Sequence, residues 1–358
     1  MTNRPIKKPN RPNSPKQPPS RNYNESVNTS KPYRLISFPE NRPNLQSPAG
    51  HHKFFDDRIN GTLFLKLTVK TAVHVSTGII AMGSDINTRV PLIKTMVQDI
   101  DQKLSIQGSS LKGCVRAVYE AITNSTLAVI TRKYKDKDKI PSERLPCRNK
   151  ARLCPASQVF GALYWQGLIE FNDAKCETQN FATGFMPSLY RPRPEQGTAY
   201  FQRGKVAGRK FYYHTISAID KGQNQGISVQ QAAKEYTFTT QIRFKNLKSA
   251  ELGTLLISLG QDEKYPMALK VGGGKPIGMG TMIVEITAAK VLENQNDLRN
   301  RYSNFEASET EKTGEELKQF IQEKIQSAHS NLIQTPQLQQ LAEVLRYPTN
   351  REPPEGMY

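Results

Sequence analysis

Two stretches of this chain carry residue types that could hold an anion. Gly108-Ser109-Ser110-Leu111-Lys112-Gly113-Cys114-Val115-Arg116 reads as a turn running into an amphipathic helix. Its serine hydroxyls fall where a helix start leaves backbone N–H groups free, and Lys112 and Arg116 are expected four residues apart on the exposed side. The second stretch, Lys270 to Gly280, contains Gly272, Gly273, Gly274, Gly278 and Gly280 with Lys275 among them. Glycines let a backbone approach a phosphate because no Cβ blocks the way, although a tight structural turn needs them equally. It is not a nucleotide-binding P-loop, because Pro276 follows Lys275 and a strand rather than a helix comes next.

Other residues suit other chemistry. Gly208-Arg209-Lys210-Phe211-Tyr212-Tyr213-His214 interleaves cations with stacking faces, as single-stranded nucleic acid requires. His214 beside its tyrosines also permits acid–base cleavage of RNA, with a structural role as the plainer reading. His74 falls on the polar side of a strand. The cysteines 114, 147, 154 and 176 do not form a disulfide framework in a chain of 358 residues, and reduced thiols are expected. Zinc would need the fold to gather all four.

Formal net charge is +18, from 50 Lys+Arg against 32 Asp+Glu, which favours a polyanionic partner, with a merely solvated surface as the bland alternative. No apolar run is long enough for a membrane span, and the first residues lack the hydrophobic region of a signal peptide. A soluble, cytoplasmic protein without membrane contact is therefore expected.

The elements that position these residues follow from hydrophobic period. Residues 1–55 are basic and proline-rich, with Glu25 and Glu40 the acidic exceptions, and read as a disordered arm. Leu63, Leu65, Leu67 and Val69 alternate as a half-buried strand; residues 77–107 read as a loop excursion; Leu111, Val115, Val118 and Ile122 form one helical stripe. Leu168 to Phe171 gives a short strand, and 177–235 is a long insertion with Tyr190-Arg191-Pro192-Arg193-Pro194 at its centre. The logic then repeats: Phe238, Thr240, Ile242 and Phe244 as a strand, Leu252, Leu255, Leu256 and Leu259 as a helix, and Met282, Val284 and Ile286 as a strand. Strand–helix–strand twice over predicts an α+β, ferredoxin-like (RRM-like) domain over 56–290 with insertions, followed by a helical extension over 291–358.

Three motifs in this order, Gly108-Ser-Ser-Leu-Lys-Gly113 before a helix, Phe160-Gly161 with Phe171-Asn172-Asp173-Ala174, and Gly272-Gly-Gly-Lys-Pro-Ile-Gly-Met-Gly280, resemble the motif set of the RAMP superfamily. Those are the repeat-associated proteins of CRISPR effector complexes, and the resemblance is to the Cas-seven-like backbone subunits of type III systems. It implies a ferredoxin-like RAMP fold stacked beside other effector subunits along a guide RNA (crRNA) that pairs with target RNA. It implies that the helix beginning near Ser109 grips the guide with the glycine loop nearby. An inserted hairpin, for which 177–235 with Arg209, Lys210, Tyr212 and His214 is the candidate, would intercalate between guide and target. Active relatives need a loop aspartate two residues before a Pro-aliphatic-Ile-Lys stretch for metal-dependent cleavage. Here Arg89 holds that position before Pro91-Leu92-Ile93-Lys94, and an arginine neither binds Mg²⁺ nor takes up a proton. The expectation is a structural subunit in antiviral defence without its own nuclease centre; the alternative is an endoribonuclease that uses a divalent metal at Asp85. Several relatives carry a zinc knuckle before Phe-Gly, for which Cys147 and Cys154 fit while Ser157 replaces a ligand.

Overall fold

The computed structural model describes residues 31–130, 137–189, 200–220, 225–292, 295–303 and 310–354. The part of the arm before residue 31 and the Tyr190–Pro194 stretch lie outside them.

Strand β1 (Ile59–Val69) buries Leu63, Leu65, Leu67 and Val69 on one side, as its alternation requires. Helix α1 (Gly108–Ile122) lays Leu111, Val115, Val118 and Ile122 onto that side. Strand β2 (Ile169–Phe171) follows, continued after a break by Ala174–Cys176, and then come β3 (Thr237–Leu247), α2 (Ser249–Ser258) and β4 (Thr281–Leu292). The pairings are antiparallel, and the sheet runs β4–β1–β3–β2. Each strand–helix–strand half thus places its two strands one position apart and the halves interleave, which is the ferredoxin-like order. Both helices pack on one face, α1 against α2.

The C-terminal extension completes this helical layer. Helix α3 (Gly314–Asn331) packs on α2, and α4 (Thr335–Leu345) on α1. Glycine at 253 makes the first contact possible: a Cβ there would stand 1.8 Å from the carbonyl oxygen of Lys324.

Two expectations are corrected. The arm does not extend to residue 55: Tyr33–Ser37 pairs antiparallel with Gly208–Tyr212 and buries Tyr33 and Ile36, so backbone hydrogen bonds and two apolar side chains hold it. Residues 77–107 are not a loop excursion. Ser76–Met82 and Leu92–Met96 form a hairpin, and Leu92–Met96 joins Gly226–Gln231, which in turn pairs with Ala182–Pro187. The two insertions therefore build one separate four-stranded sheet. The hairpin was obscured because Ile79 and Ile80 are adjacent, one on each face, and both are exposed, at 63% and 53%.

Candidate nucleic-acid interface

Helix α1 begins against the edge of the sheet. A Cβ on Gly108 would lie 2.1 Å from the carbonyl oxygen of Phe171, so only glycine allows this approach. The Gly108 N–H donates to Asp173 Oδ1 at 2.7 Å, so a carboxylate from the Phe171-Asn172-Asp173-Ala174 motif already caps the helix start. Ser109 is exposed and Ser110 half-buried.

Lys112 and Arg116 differ from the expected exposed pair. Lys112 is half-buried; its Nζ donates to the Ile169 carbonyl at 2.9 Å. Burial, reinforced by Arg116, pushes its pKa down, and Glu170 opposes this. Arg116 is consumed by the fold: Nε donates to Glu120 Oε1 at 2.8 Å, one terminal nitrogen to the Gly161 carbonyl at 2.8 Å, the other to Ser157 Oγ at 3.3 Å. The reason is Glu120, a carboxylate 5% exposed whose pKa burial raises and which only nearby guanidinium groups compensate.

What surrounds Lys112 is a cleft of about 570 Å³ lined by His51, Ser109, Lys112, Glu170, Arg243 and Lys245, among others. Arg243 is exposed, Lys245 reaches over the Phe54 ring at 4.7 Å, and His51 Nε2 donates to the Gln166 carbonyl at 3.1 Å. Arg243 and Lys245 were missed in the sequence, although the signal was there: they share the polar parity of a strand whose other side is Ile242 and Phe244.

The glycine loop does not line this cleft. Gly272, Gly274, Gly278 and Gly280 all have positive φ, and a Cβ on Gly272 or Gly278 would stand 2.4 Å from the His74 carbonyl oxygen or Thr215 Oγ1, respectively. The loop is tied down from beneath: the Gly278 carbonyl accepts from Lys270 Nζ at 3.1 Å and from Thr71 Oγ1 at 2.8 Å. Gly273 is exposed, though its N–H donates to the His74 carbonyl at 2.9 Å, and Lys275 is half-buried.

The 208–214 segment is also turned inward. Arg209, 8% exposed, donates to the carbonyls of Ser125 and Thr126 at 2.9 and 3.0 Å and faces Glu120. His214, 1% exposed, donates from Nε2 to the Ala268 carbonyl at 3.0 Å, leaving Nδ1 to accept from Thr281 Oγ1 at 2.9 Å. Burial lowers its pKa to about 3, with Lys270 adding to the effect. Lys210 stands 3.9 Å from the Tyr33 ring centroid and 4.8 Å from that of Tyr212. Pairing with Tyr33–Ser37 turns Gly208–Tyr212 onto the body of the domain, and His214 is buried separately against Thr281, Ala268 and Tyr347, so these groups are not presented as an RNA-facing tip.

Asp85 is exposed on the turn Gly83–Ile86 and accepts from Ser84 Oγ at 3.4 Å. Among the described residues no three His, Cys, Asp or Glu side chains gather as a metal site. Of the cysteines only Cys147 and Cys154 meet: the Cys154 N–H donates to Cys147 Sγ at 3.3 Å, and Thr126 Oγ1 to Cys154 Sγ at 3.2 Å. Cys114 instead donates to the Lys270 carbonyl at 3.2 Å. No helix among the described residues is long and apolar enough to cross a membrane.

A ferredoxin-like α+β domain with a basic cleft at the start of its first helix is thus the class of protein defined. The RAMP superfamily model matches residues 66–283, more than half of the chain, and the chain belongs to that superfamily. No curated protein matches it. Among solved structures it is similar to a chain of the cryo-EM structure of the Type III-B Cmr-beta bound to cognate target RNA. That match has a TM-score of 0.34 and 15% identity and covers 66% of this chain and 61% of the other.

Proposed function

We propose that this RAMP protein is an RNA-holding structural subunit of a type III CRISPR ribonucleoprotein effector, seated among other effector subunits on a guide RNA that pairs with target RNA. The cleft at the start of α1 carries the reading, because Lys112, Arg243 and Lys245 converge beside the exposed Ser109 on a chain of net charge +18. In this reading guide phosphates lie against Lys112, Ser109, Arg243 and Lys245. Gly273 and Lys275 contact RNA from the opposite flank of α1, and Ser110, Gly272, Gly274 and Gly278 shape the backbone behind these contacts.

The exposed apolar side chains Ile79, Ile80, Met82 and Leu92 make the Ser76–Met96 hairpin the better candidate for a wedge between guide and target than the inward-facing 208–214 segment. Cutting is assigned to other subunits, which the arginine at 89 supports.

The test is association of the purified chain with single-stranded RNA over a range of salt. Lys112→Ala with Arg243→Ala should weaken binding and lower the slope of log K against log salt by about 1.4, since each phosphate contact on a single strand contributes about 0.7. A protein that purifies without RNA and binds it no better than a neutral control would refute the reading.

A further inference from the structure

The sheet face turned away from α1 and α2 is not used by the cleft except at one corner. Across it lie Phe64 and Lys66 on β1, Gln241 and Arg243 on β3, and Ile283 and Glu285 on β4, alternating with the buried side chains of the helical face. Register sets Gln241 directly opposite Phe64, Arg243 opposite Thr62, and Thr239 opposite Lys66. Thr239, Arg243, Ile283 and Glu285 are exposed, Phe64 is half-buried, and Lys290 Nζ stands 5.7 Å from the Phe64 centroid.

The chemistry of this platform fits one occupant. Its apolar content is Phe64, Ile283 and the small Ala288 opposite Phe64, too little for the hydrophobic centre of a protein interface. A lone aromatic ring among threonine hydroxyls, one amide and lysines fits an unstacked base with its flanking phosphates, Glu285 opposite Lys66 being the acidic exception on the face. Continuity also favours RNA: Arg243 lines the cleft, and Gln241 lies on the same face two residues along β3, about 7 Å away.

We infer that single-stranded RNA leaving the cleft crosses the sheet edge at Arg243 and stacks a base on Phe64. Gln241 meets the base edge, Lys66 takes one adjoining phosphate, and Lys290 exchanges its exposed partner Glu311, 3.8 Å away, for the other. This rests on the RNA-holding reading and adds a second track to it.

The experiment uses the full chain, a labelled single-stranded RNA of about fifteen nucleotides carrying photoreactive uridines, and the variants Lys112→Ala, Phe64→Leu and Lys66→Ala, each checked for an unchanged melting temperature. Phe64→Leu should weaken binding about tenfold, as loss of one stacked base does, and crosslinks should map to the peptide containing Phe64. If the RNA is bound and Lys112→Ala weakens it, but Phe64→Leu changes neither affinity nor crosslinking, the sheet track is refuted and the cleft stands. If the wild type binds no better than a neutral control, both fall. Loss of a co-purifying subunit from Phe64→Leu, with RNA affinity intact, would assign the face to a protein and overturn the proposal.

Discussion

Glu120 is the residue around which the charged interior of α1 is arranged, since Arg116 and Arg209 both face it. Arg116→Ala would leave that buried carboxylate with one distant partner and should lower stability by about 2 kcal/mol in chemical denaturation, with Arg116→Lys recovering part of the loss. A fall in RNA affinity at unchanged stability would instead return Arg116 to the interface. Lys270 offers a second test at this scale. Burial, with Lys275 nearby, lowers its pKa to about 7, so the folded state disfavours its charged form. Between pH 7 and the ordinary lysine value the unfolded chain binds more protons, and stability rises with pH across that window. Lys270→Met should flatten this rise, by a few kcal/mol at most, when melting is followed from pH 7 to 10. Equal slopes in both proteins would show that Lys270 is not held neutral. The four-residue spacing of Lys112 and Arg116 was legible in the sequence, and their divergence was not. Which of two cations reaches solvent depends on its partners, here Glu120 one turn further along α1 and Gly161 and Ser157 from the segment packed against it.

The alternating strands and the stripe on α1 were readable because one face of each is apolar and the other polar. The hairpin Ser76–Met96 was not, because Ser76–Met82 is exposed on both faces and Leu92–Met96 buries Ile93 and Met96 three residues apart, so neither strand carries a period of two to detect. Helix α3 shows a contact that sequence alone hides. Its approach to α2 closes onto Gly253, so Gly253→Ala must push the Lys324 carbonyl away and should cost about 1–3 kcal/mol, despite alanine's better helix propensity. A melting temperature equal to or above that of the wild type would mean the two helices have room to part.

At the scale of the whole molecule, the strand order β4–β1–β3–β2 follows from two strand–helix–strand units, and this was predictable from pattern. The partnership between the two insertions was not, since nothing local in either one announces the other. Their joint sheet has a consequence for synthesis. The only parallel pairing in it sets Ser228 and Val229 beside Ile93 and Lys94, so the early hairpin waits for a strand made more than a hundred residues later. Until then Ile93, buried in the finished sheet, lacks its cover and adds to the apolar surface that Ile79, Ile80 and Leu92 expose on the two faces of the hairpin. The stretch that ends as an exposed hairpin at the edge of this sheet therefore begins as a segment in need of shelter while the protein is being made.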